Sequence, residues 1–280
     1  MRFHVVPVVL AAVLLAPAGL HAAGSCARDK THLCLNGGRF QVEVAWQAPG
    51  FGSGAGQAVP LTGDTGAFWF FSPNNLELMV KVLDGRSVNG FHWVYYGSLS
   101  NVEYTLTIRD NLTSAEKTYH NAPLELASRS DVQAFFTPVI DPPAPAAVSK
   151  SIPRPEKAAK ASGDCVPSPT TLCLDDYRFR VQVDFTDPRN GVNAPARTVV
   201  LTDDTGEFWF FSPDNLELMI KVLDGRGING AFWVFFGALS DVAYTVTVTD
   251  TVTGAQKVYH NAAHHQASVA DTRAFPAPAD

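Results

Sequence analysis

The chain has 280 residues, a formal net charge of −6 and four cysteines, and 46% of its residues are hydrophobic. This hydrophobic content is ordinary for a globular protein, and the length allows two domains of usual size. An acidic balance without a run of Lys or Arg argues against a nucleic-acid partner.

Residues 1–23 are predicted to be a secretory signal peptide. A short, weakly basic start precedes an apolar run over 5–20, and Leu20-His21-Ala22 or His21-Ala22-Ala23 can supply the cleavage site. Pro7 and Pro17 interrupt the run, and a membrane anchor needs about 20 apolar residues. We therefore expect a secreted or periplasmic protein whose mature chain does not span a membrane.

An internal repeat dominates the rest of the chain. Residues 61–135 align without a gap on residues 201–275, with 46 identities in 75 positions. Upstream, the two copies align at an offset that is one residue shorter. The repeat predicts two domains, at 24–136 and 165–280, joined by a Pro/Ala/Lys-rich linker over 137–164.

The cysteines fall two per copy at equal spacing, Cys26 with Cys34 and Cys165 with Cys173. Export would place them in an oxidising compartment, where such pairs form disulfides. A zinc site is the weaker alternative, because neither pair has the further Cys or His ligands that a tetrahedral site requires. We expect two local disulfides, one at the entrance of each domain.

Alternation of apolar and polar residues predicts strands throughout both copies. Phe40, Val42 and Val44 alternate with polar residues, and Leu76, Leu78, Val80 and Val82 are expected to face away from Glu77, Met79 and Lys81. Glu77 and Lys81 are interpreted as an exposed ion pair. About seven short strands per copy, without an amphipathic helix, predict an all-β fold of two tandem immunoglobulin-like β-sandwich domains.

Two resemblances accompany this pattern. Leu, a short polar turn and Tyr-x-aliphatic-x-aliphatic, at Tyr104 and again at Tyr244, resembles the tyrosine corner of fibronectin type III and immunoglobulin-like sandwiches. It implies a buried ring bonded to a nearby backbone group. The string FWFF…NLELMIKVLDG…FWVF…YTVTVTDT resembles a tandem repeat of secreted bacterial proteins. That resemblance implies export and bacterial origin, and it implies no activity.

Aromatic strands supply the candidate binding residues. Residues 68–71 and 91–96, and their copies, are apolar on both faces, whereas a sandwich strand buries only one. The loop at 47–60 or the closing segment at 127–135 could cover the second face. Otherwise that face is an exposed patch that binds an extracellular protein or carbohydrate. The candidates for such a patch are Trp69, Trp93, Trp209 and Trp233.

Catalytic and metal-binding patterns are weak. Asp64, Asp84 and Asp110 recur in copy two as Asp204, Asp224 and Asp250, and loop aspartates can bind calcium, although Asp also favours turns. His260 clusters with His264 and His265, but copy one has only its equivalent His120, with Leu124 and Glu125 at the other two places, which leaves zinc a weak alternative. We expect no enzyme, no catalytic residue, no metal site and no cofactor, with calcium the one ion left open.

The sequence therefore predicts a secreted, non-catalytic binding or surface-interaction protein. Two other functions stay open. A protease inhibitor would act through the divergent Gly/Pro loops at 47–60 and 186–200. An enzyme would need a site built from residues that are distant in sequence.

Overall fold

The computed structural model describes residues 26–137 and 163–277, and within these ranges the chain is all-β. Four antiparallel sheets of five strands form, two from each repeat. The signal peptide predicted at 1–23 and most of the linker predicted at 137–164 lie outside the described residues. The domain boundaries therefore stay a prediction.

In the first repeat, two sheets pack face to face. One has the order β1-β2-β8-β9, with β3 also paired to β2, and the other has the order β10-β7-β6-β5-β4. A single helical turn, α1 (Arg86–Asn89), connects β6 to β7. The strands are β1 (Leu33–Leu35), β2 (Phe40–Ala48), β3 (Gly52–Ala55), β4 (Gln57–Pro60), β5 (Thr65–Ser72), β6 (Asn75–Gly85), β7 (Phe91–Ser98), β8 (Glu103–Asp110), β9 (Glu116–Asn121) and β10 (Ser128–Phe136).

The second repeat has the same topology. Its sheets have the orders β11-β12-β18-β19, with β13 paired to β12, and β14-β15-β16-β17-β20. The turn α2 (Arg226–Asn229) replaces α1. The strands are β11 (Leu172–Leu174), β12 (Phe179–Thr186), β13 (Asn193–Pro195), β14 (Arg197–Val200), β15 (Thr205–Ser212), β16 (Asn215–Asp224), β17 (Ala231–Ala238), β18 (Tyr244–Asp250), β19 (Gln256–Asn261) and β20 (Ser268–Pro276). Each repeat thus has ten strands, more than the seven expected.

Each sandwich has its own core, built by the alternation seen in the sequence. Phe40, Val42 and Val44 of β2 are buried against Val80 and Val82 of β6. The equivalent positions form the core of the second repeat. The predicted all-β sandwich fold is therefore confirmed, and its two inner faces follow from a period of two along each strand.

Both predicted disulfides are present. Cys26 bonds to Cys34 and Cys165 bonds to Cys173, with Cα–Cα distances of 5.7 and 5.8 Å. Each ties the chain that enters a repeat to the short first strand of that repeat. Because Cys34 and Cys173 pair in register with β2 and β12, the disulfides attach this entering segment to the edge of the sheet.

The expectation for the corner tyrosines was right in burial and wrong in bonding. Tyr104 and Tyr244 are 2% and 3% exposed. The Tyr104 hydroxyl lies 2.7 Å from the Ser98 Oγ, a side chain and not the backbone group expected. The Tyr244 hydroxyl has no hydrogen-bond partner among the described residues, because Ala238 occupies the position of Ser98 in the second repeat.

The two sandwiches pack against each other through a third hydrophobic cluster. This shared cluster is formed by the outer faces of the sheets that contain β6 and β16. The aromatic strands of each repeat are therefore covered by the other repeat. Neither the loop at 47–60 nor the segment at 127–135, the two covers expected from the sequence, supplies this burial alone. Its buried members are Leu61, Ala67, Leu76, Met79, Leu99, Leu201, Leu216, Met219, Phe235 and Leu239.

The repeats approach closely at one pair of glycines. A Cβ added at Gly97 would lie 3.2 Å from the carbonyl carbon of Gly237, and one added at Gly237 would lie 3.0 Å from the carbonyl oxygen of Ser98. Only a residue without a side chain allows backbone contact at this distance. Gly97 and Gly237 are equivalent positions, so the contact is nearly two-fold symmetric.

Candidate functional site

The four candidate tryptophans do not form one exposed patch. Trp69, Trp209 and Trp233 are half-buried and pack against the shared cluster. Trp93 is also half-buried. These placements give three of the four a packing role between the repeats, and a binding role for any of them stays a prediction.

Trp93 and Trp233 are fixed in the same way in the two repeats. The Trp93 indole N–H donates to Asn89 Oδ1, and the Trp233 indole N–H donates to Asn229 Oδ1, both at 2.8 Å. Each ring lies across a glycine: a Cβ at Gly85 would lie 2.0 Å from the Trp93 ring. A ring held by a hydrogen bond and a close backbone contact is positioned rather than mobile.

The interpretation of Glu77 and Lys81 as an exposed ion pair is wrong. Both side chains are 1% exposed. Glu77 accepts the backbone N–H of Phe70 at 2.6 Å and the side-chain amide of Asn75. The polar face of β6 is buried because the second repeat covers it, a contact that the periodicity of one strand cannot reveal.

The two buried lysines cross between the repeats. Lys81 Nζ donates to Asn215 Oδ1 at 2.7 Å and to the Leu216 carbonyl at 2.9 Å. Lys221 Nζ makes the reciprocal contacts, to Asn75 Oδ1 at 2.5 Å and to the Leu76 carbonyl at 3.0 Å. These contacts fix the register between the repeats, because a buried ammonium must keep its acceptors.

The attraction between lysines and glutamates also crosses between the repeats. Lys221 attracts Glu77, and Lys81 attracts Glu217. Burial nevertheless raises the pKa of Glu77 and of Glu217 to about 7. Burial also lowers the pKa of Lys221 to about 8 and shifts the pKa of Lys81 in the same direction. The loss of hydration outweighs the attraction between opposite charges in this crossed Lys–Glu network.

Glu207 breaks the symmetry of this network. Its counterpart in the first repeat is Ala67. The side chain is fully buried, and neither carboxylate oxygen has a hydrogen-bond partner among the described residues. Burial raises its pKa well above the usual range, although Lys81 opposes the shift. These carboxyl groups are 0–1% exposed, so a substrate cannot reach them and their shifted pKa values belong to the contact between repeats.

An aromatic surface does reach solvent at one end of the first repeat. Phe51, on the Gly-rich loop before β3, is 84% exposed, and Phe71, at the end of β5, is 45% exposed. The Phe71 ring lies 6.4 Å from that of Phe51 and 4.8 Å from that of Trp46. We call Trp46, Phe51 and Phe71 the aromatic tip. Its one signal in the sequence is an aromatic residue, Phe51, within a loop of glycines, which has no periodic pattern.

A shallow cleft of about 380 Å³ adjoins the aromatic tip. Trp46 forms part of its wall, and four polar side chains also line it: Gln47, Ser53, Glu103 and Thr105. A ring wall beside amide, hydroxyl and carboxylate groups is typical of a site that orients a polar ligand on an apolar surface. Glu103 is the single acidic residue that lines this cleft.

The same end of the second repeat is built differently. Phe185 replaces Trp46 and stacks on Phe210 with ring centroids 4.7 Å apart. Arg189 lies over the Phe211 ring at 5.1 Å and forms an ion pair with Asp187 at 2.7 Å. A cation therefore lies over Phe211, the equivalent of Phe71, although the Phe211 side chain is still 38% exposed. The divergent loops predicted from the sequence produce this difference.

Four of the six recurring aspartates pair with an arginine. Asp110 accepts two hydrogen bonds from Arg39, and Asp250 accepts two from Arg178. Asp84 is bonded to Arg86 in the same bidentate manner. Across residues 26–137 and 163–277, no group of three or more His, Cys, Asp or Glu side chains is arranged to hold a metal ion.

The same described ranges contain no helix of the length and apolar content required to cross a membrane. Comparison with known proteins gave no match to a family model, to a curated protein or to a solved structure. Function is therefore inferred from geometry alone.

Proposed function

We propose that this chain is an exported, non-catalytic binding protein, and that its aromatic tip binds an extracellular carbohydrate. The observation that carries the proposal is the exposure of Phe51 and Phe71 beside the half-buried Trp46. Large aromatic groups clustered on a surface mark interaction sites more often than isolated exposed residues do. The two disulfides fit an oxidising compartment.

The chemistry of the aromatic tip favours a sugar over a purely apolar ligand. A sugar ring presents an apolar C–H face that packs on an aromatic ring, and its hydroxyl groups need donors and acceptors nearby. Gln47, Ser53 and Thr105 supply these groups in the adjoining cleft. The rigid sandwich positions the tip, since Phe71 ends a paired strand and Trp46 lies within β2.

We propose a non-catalytic protein because a substrate has no access to the buried carboxyl groups. Glu77, Glu207 and Glu217 are sealed between the repeats, and the cleft beside the tip carries one acidic side chain, Glu103. Hydrolysis of a glycosidic bond ordinarily uses two carboxyl groups across the scissile bond. The site is suited to holding a sugar and lacks a paired acid for cleaving one.

The proposal is tested first by binding the protein to insoluble polysaccharides. Soluble fragments of each polysaccharide that retains the protein are then titrated while the intrinsic tryptophan fluorescence is followed. A double variant Phe51→Ala/Phe71→Ala should lose about tenfold in affinity or more. The matched control is Phe211→Ala, which truncates the residue equivalent to Phe71 in the second repeat. Equal loss in both variants, or retention unaffected by the double variant, would contradict a site at the aromatic tip. Capture of a secreted protease in place of any polysaccharide would favour the inhibitor alternative.

A further inference from the structure

A second cleft lies at the seam between the repeats, where the starts of β10 and β20 meet. Its volume is about 740 Å³, and residues 126–129 of the first repeat and 260–262 and 265–269 of the second line it. Ser128 Oγ lies 2.8 Å from Ser268 Oγ and donates to the Ala267 carbonyl at 3.1 Å. Both repeats are needed to form this seam cleft, and its volume suits a small ligand.

The seam cleft is lined by basic side chains although the chain is acidic overall. Arg129, His260 and His265 line it, and no Asp or Glu is among its lining residues. The guanidinium of Arg129 is open to solvent, with its side chain 58% exposed. Its carboxylate neighbour Glu125 lies 3.9 Å away and is 55% exposed, and such exposed pairs contribute little. Arg129 can therefore exchange Glu125 for another anion.

The imidazole of His265 is oriented by its own repeat. The Asn261 amide donates to the carbonyls of Val242, Ala262 and His265, which leaves Oδ1 as its acceptor. His265 Nδ1 lies 3.2 Å from this oxygen and must carry the hydrogen. The other ring nitrogen, Nε2, then becomes a donor when the ring is cationic. A charged His265 thus has one N–H left for a ligand.

The positions related by the repeat lack this chemistry. Glu125 corresponds to His265 and Val269 corresponds to Arg129. In the first repeat, Asn121 makes the same three donor contacts, yet its Oδ1 has no partner among the described residues. The basic lining therefore results from substitutions between equivalent positions of a nearly symmetric seam. These positions hold Arg129 against Val269 and His265 against Glu125.

We propose that the seam cleft binds an oxyanion group, either a carboxylate or a phosphate or sulfate, through Arg129 and His265. The planar guanidinium matches two oxygens of such a group at once, and the imidazolium adds a charge-assisted hydrogen bond. The residues that line the seam cleft are distinct from those of the aromatic tip and its cleft. The seam cleft therefore adds a second ligand class to the protein and does not depend on the proposed function.

The proposal is tested by titrating the mature protein with sodium phosphate, sodium sulfate and sodium glucuronate. The titrations are done at about pH 6, where imidazole gains its charge. Sodium chloride at matched ionic strength corrects for screening, and glucose corrects for sugar contacts without the carboxylate. We expect saturable binding of at least one oxyanion with a dissociation constant of about 1 mM or lower. The preferred probe distinguishes a phosphate or sulfate from a sugar acid.

The variants take each residue from the other repeat. Arg129→Val and His265→Glu should each weaken binding about tenfold or more, with unchanged thermal unfolding because both side chains are exposed. The matched control is Arg273→Gln, which replaces an exposed cation of β20 by its counterpart Gln133 and should bind as the unaltered protein does. Failure of all three oxyanions to saturate, or equal affinity in Arg129→Val and Arg273→Gln, would overturn the proposal.

Discussion

Tyr104 and Tyr244 occupy equivalent positions on β8 and β18, and they show how the repeats have diverged. Both rings are buried, but only the hydroxyl of Tyr104 has a partner, Ser98. At the shared cluster the difference runs the same way, because Glu207 adds a buried carboxyl group without a hydrogen-bond partner among the described residues where the first repeat has Ala67. Two copies of one fold therefore satisfy their buried polar groups to different degrees.

This difference separates what the fold requires from what it tolerates. The inner faces of the sandwiches keep apolar residues at every equivalent position of β2 and β12, because a polar side chain there would lose its hydration without gaining a partner. The loops and the faces between repeats vary more. The comparison thus indicates that the inner faces of the sheets stabilise the fold. The loops and the surfaces between the repeats carry the differences between the two copies.

The largest expected effect distinguishes the two buried lysines. Lys81 is attracted by Glu217, Asp64 and Glu207, whereas Lys221 is attracted by Glu77 and Asp204. Lys81→Met should lower the free energy of unfolding by about 3–5 kcal/mol, because it leaves buried carboxylates unpaired. Lys221→Met should cost less. Urea unfolding followed by circular dichroism measures both.

The control for these variants is Lys117→Met, which removes a lysine whose side chain is 41% exposed and whose ion pair with Asp131 lies at the surface. It should change stability by about 0.5 kcal/mol or less. If Lys81→Met were no more destabilising than Lys117→Met, the crossed Lys–Glu network would not hold the repeats together.

The next effect concerns Glu207 and pH. Because burial raises its pKa, the folded protein binds a proton at this site more tightly than the unfolded chain does. Its contribution to stability is therefore fully present below about pH 4.5 and is lost as the pH rises from there toward its folded pKa. Glu207→Ala removes this loss. We expect the variant to be more stable near neutral pH by about 1–3 kcal/mol.

The measurement is the pH dependence of the difference in stability between Glu207→Ala and the unaltered protein, in which groups that do not interact with Glu207 largely cancel. The difference should grow as the pH rises from about 4.5 to 8. The reverse exchange, Ala67→Glu, should destabilise the protein in the same pH range. A difference that stayed constant with pH would show that Glu207 does not titrate with folding.

The smallest expected effect separates the two tyrosines. Tyr104→Phe removes a buried hydrogen bond to Ser98 and should cost about 1 kcal/mol in urea unfolding. Tyr244→Phe removes a hydroxyl without a partner among the described residues and should cost nothing or stabilise slightly. Ala238→Ser supplies the missing partner and should make Tyr244→Phe as costly as Tyr104→Phe. If Tyr104→Phe and Tyr244→Phe lowered the free energy of unfolding equally in the otherwise unaltered protein, this account would be wrong.

Much of the fold could be predicted because its causes are local. The period of two in Phe40, Val42 and Val44 placed their side chains in the core, and the equal spacing of the cysteines predicted both disulfides. The number of strands was too low because short edge strands such as β3 and β13 consist of Gly, Pro and small residues. Such residues are typical of loops, and only pairing with β2 or β12 makes them strands.

The contact between repeats could not be predicted from either copy alone. Glu77 and Lys81 alternate with apolar residues as an exposed pair would, and their burial depends on a surface that is 140 positions away in the chain. The tryptophans were selected for their size, but size does not distinguish packing from binding. Phe51 was missed because one aromatic residue in a loop carries no periodic signal.

The crossed contacts of Lys81 and Lys221 also set a limit on assembly. A contact in which each half offers the same surface to the other is closed: it uses up both copies of that surface and presents neither to a further molecule. Since one polypeptide carries both halves, they meet at a high effective concentration, and their docking does not depend on how dilute the protein is. We therefore expect this surface to stay paired within one chain at any dilution, without recruiting other copies.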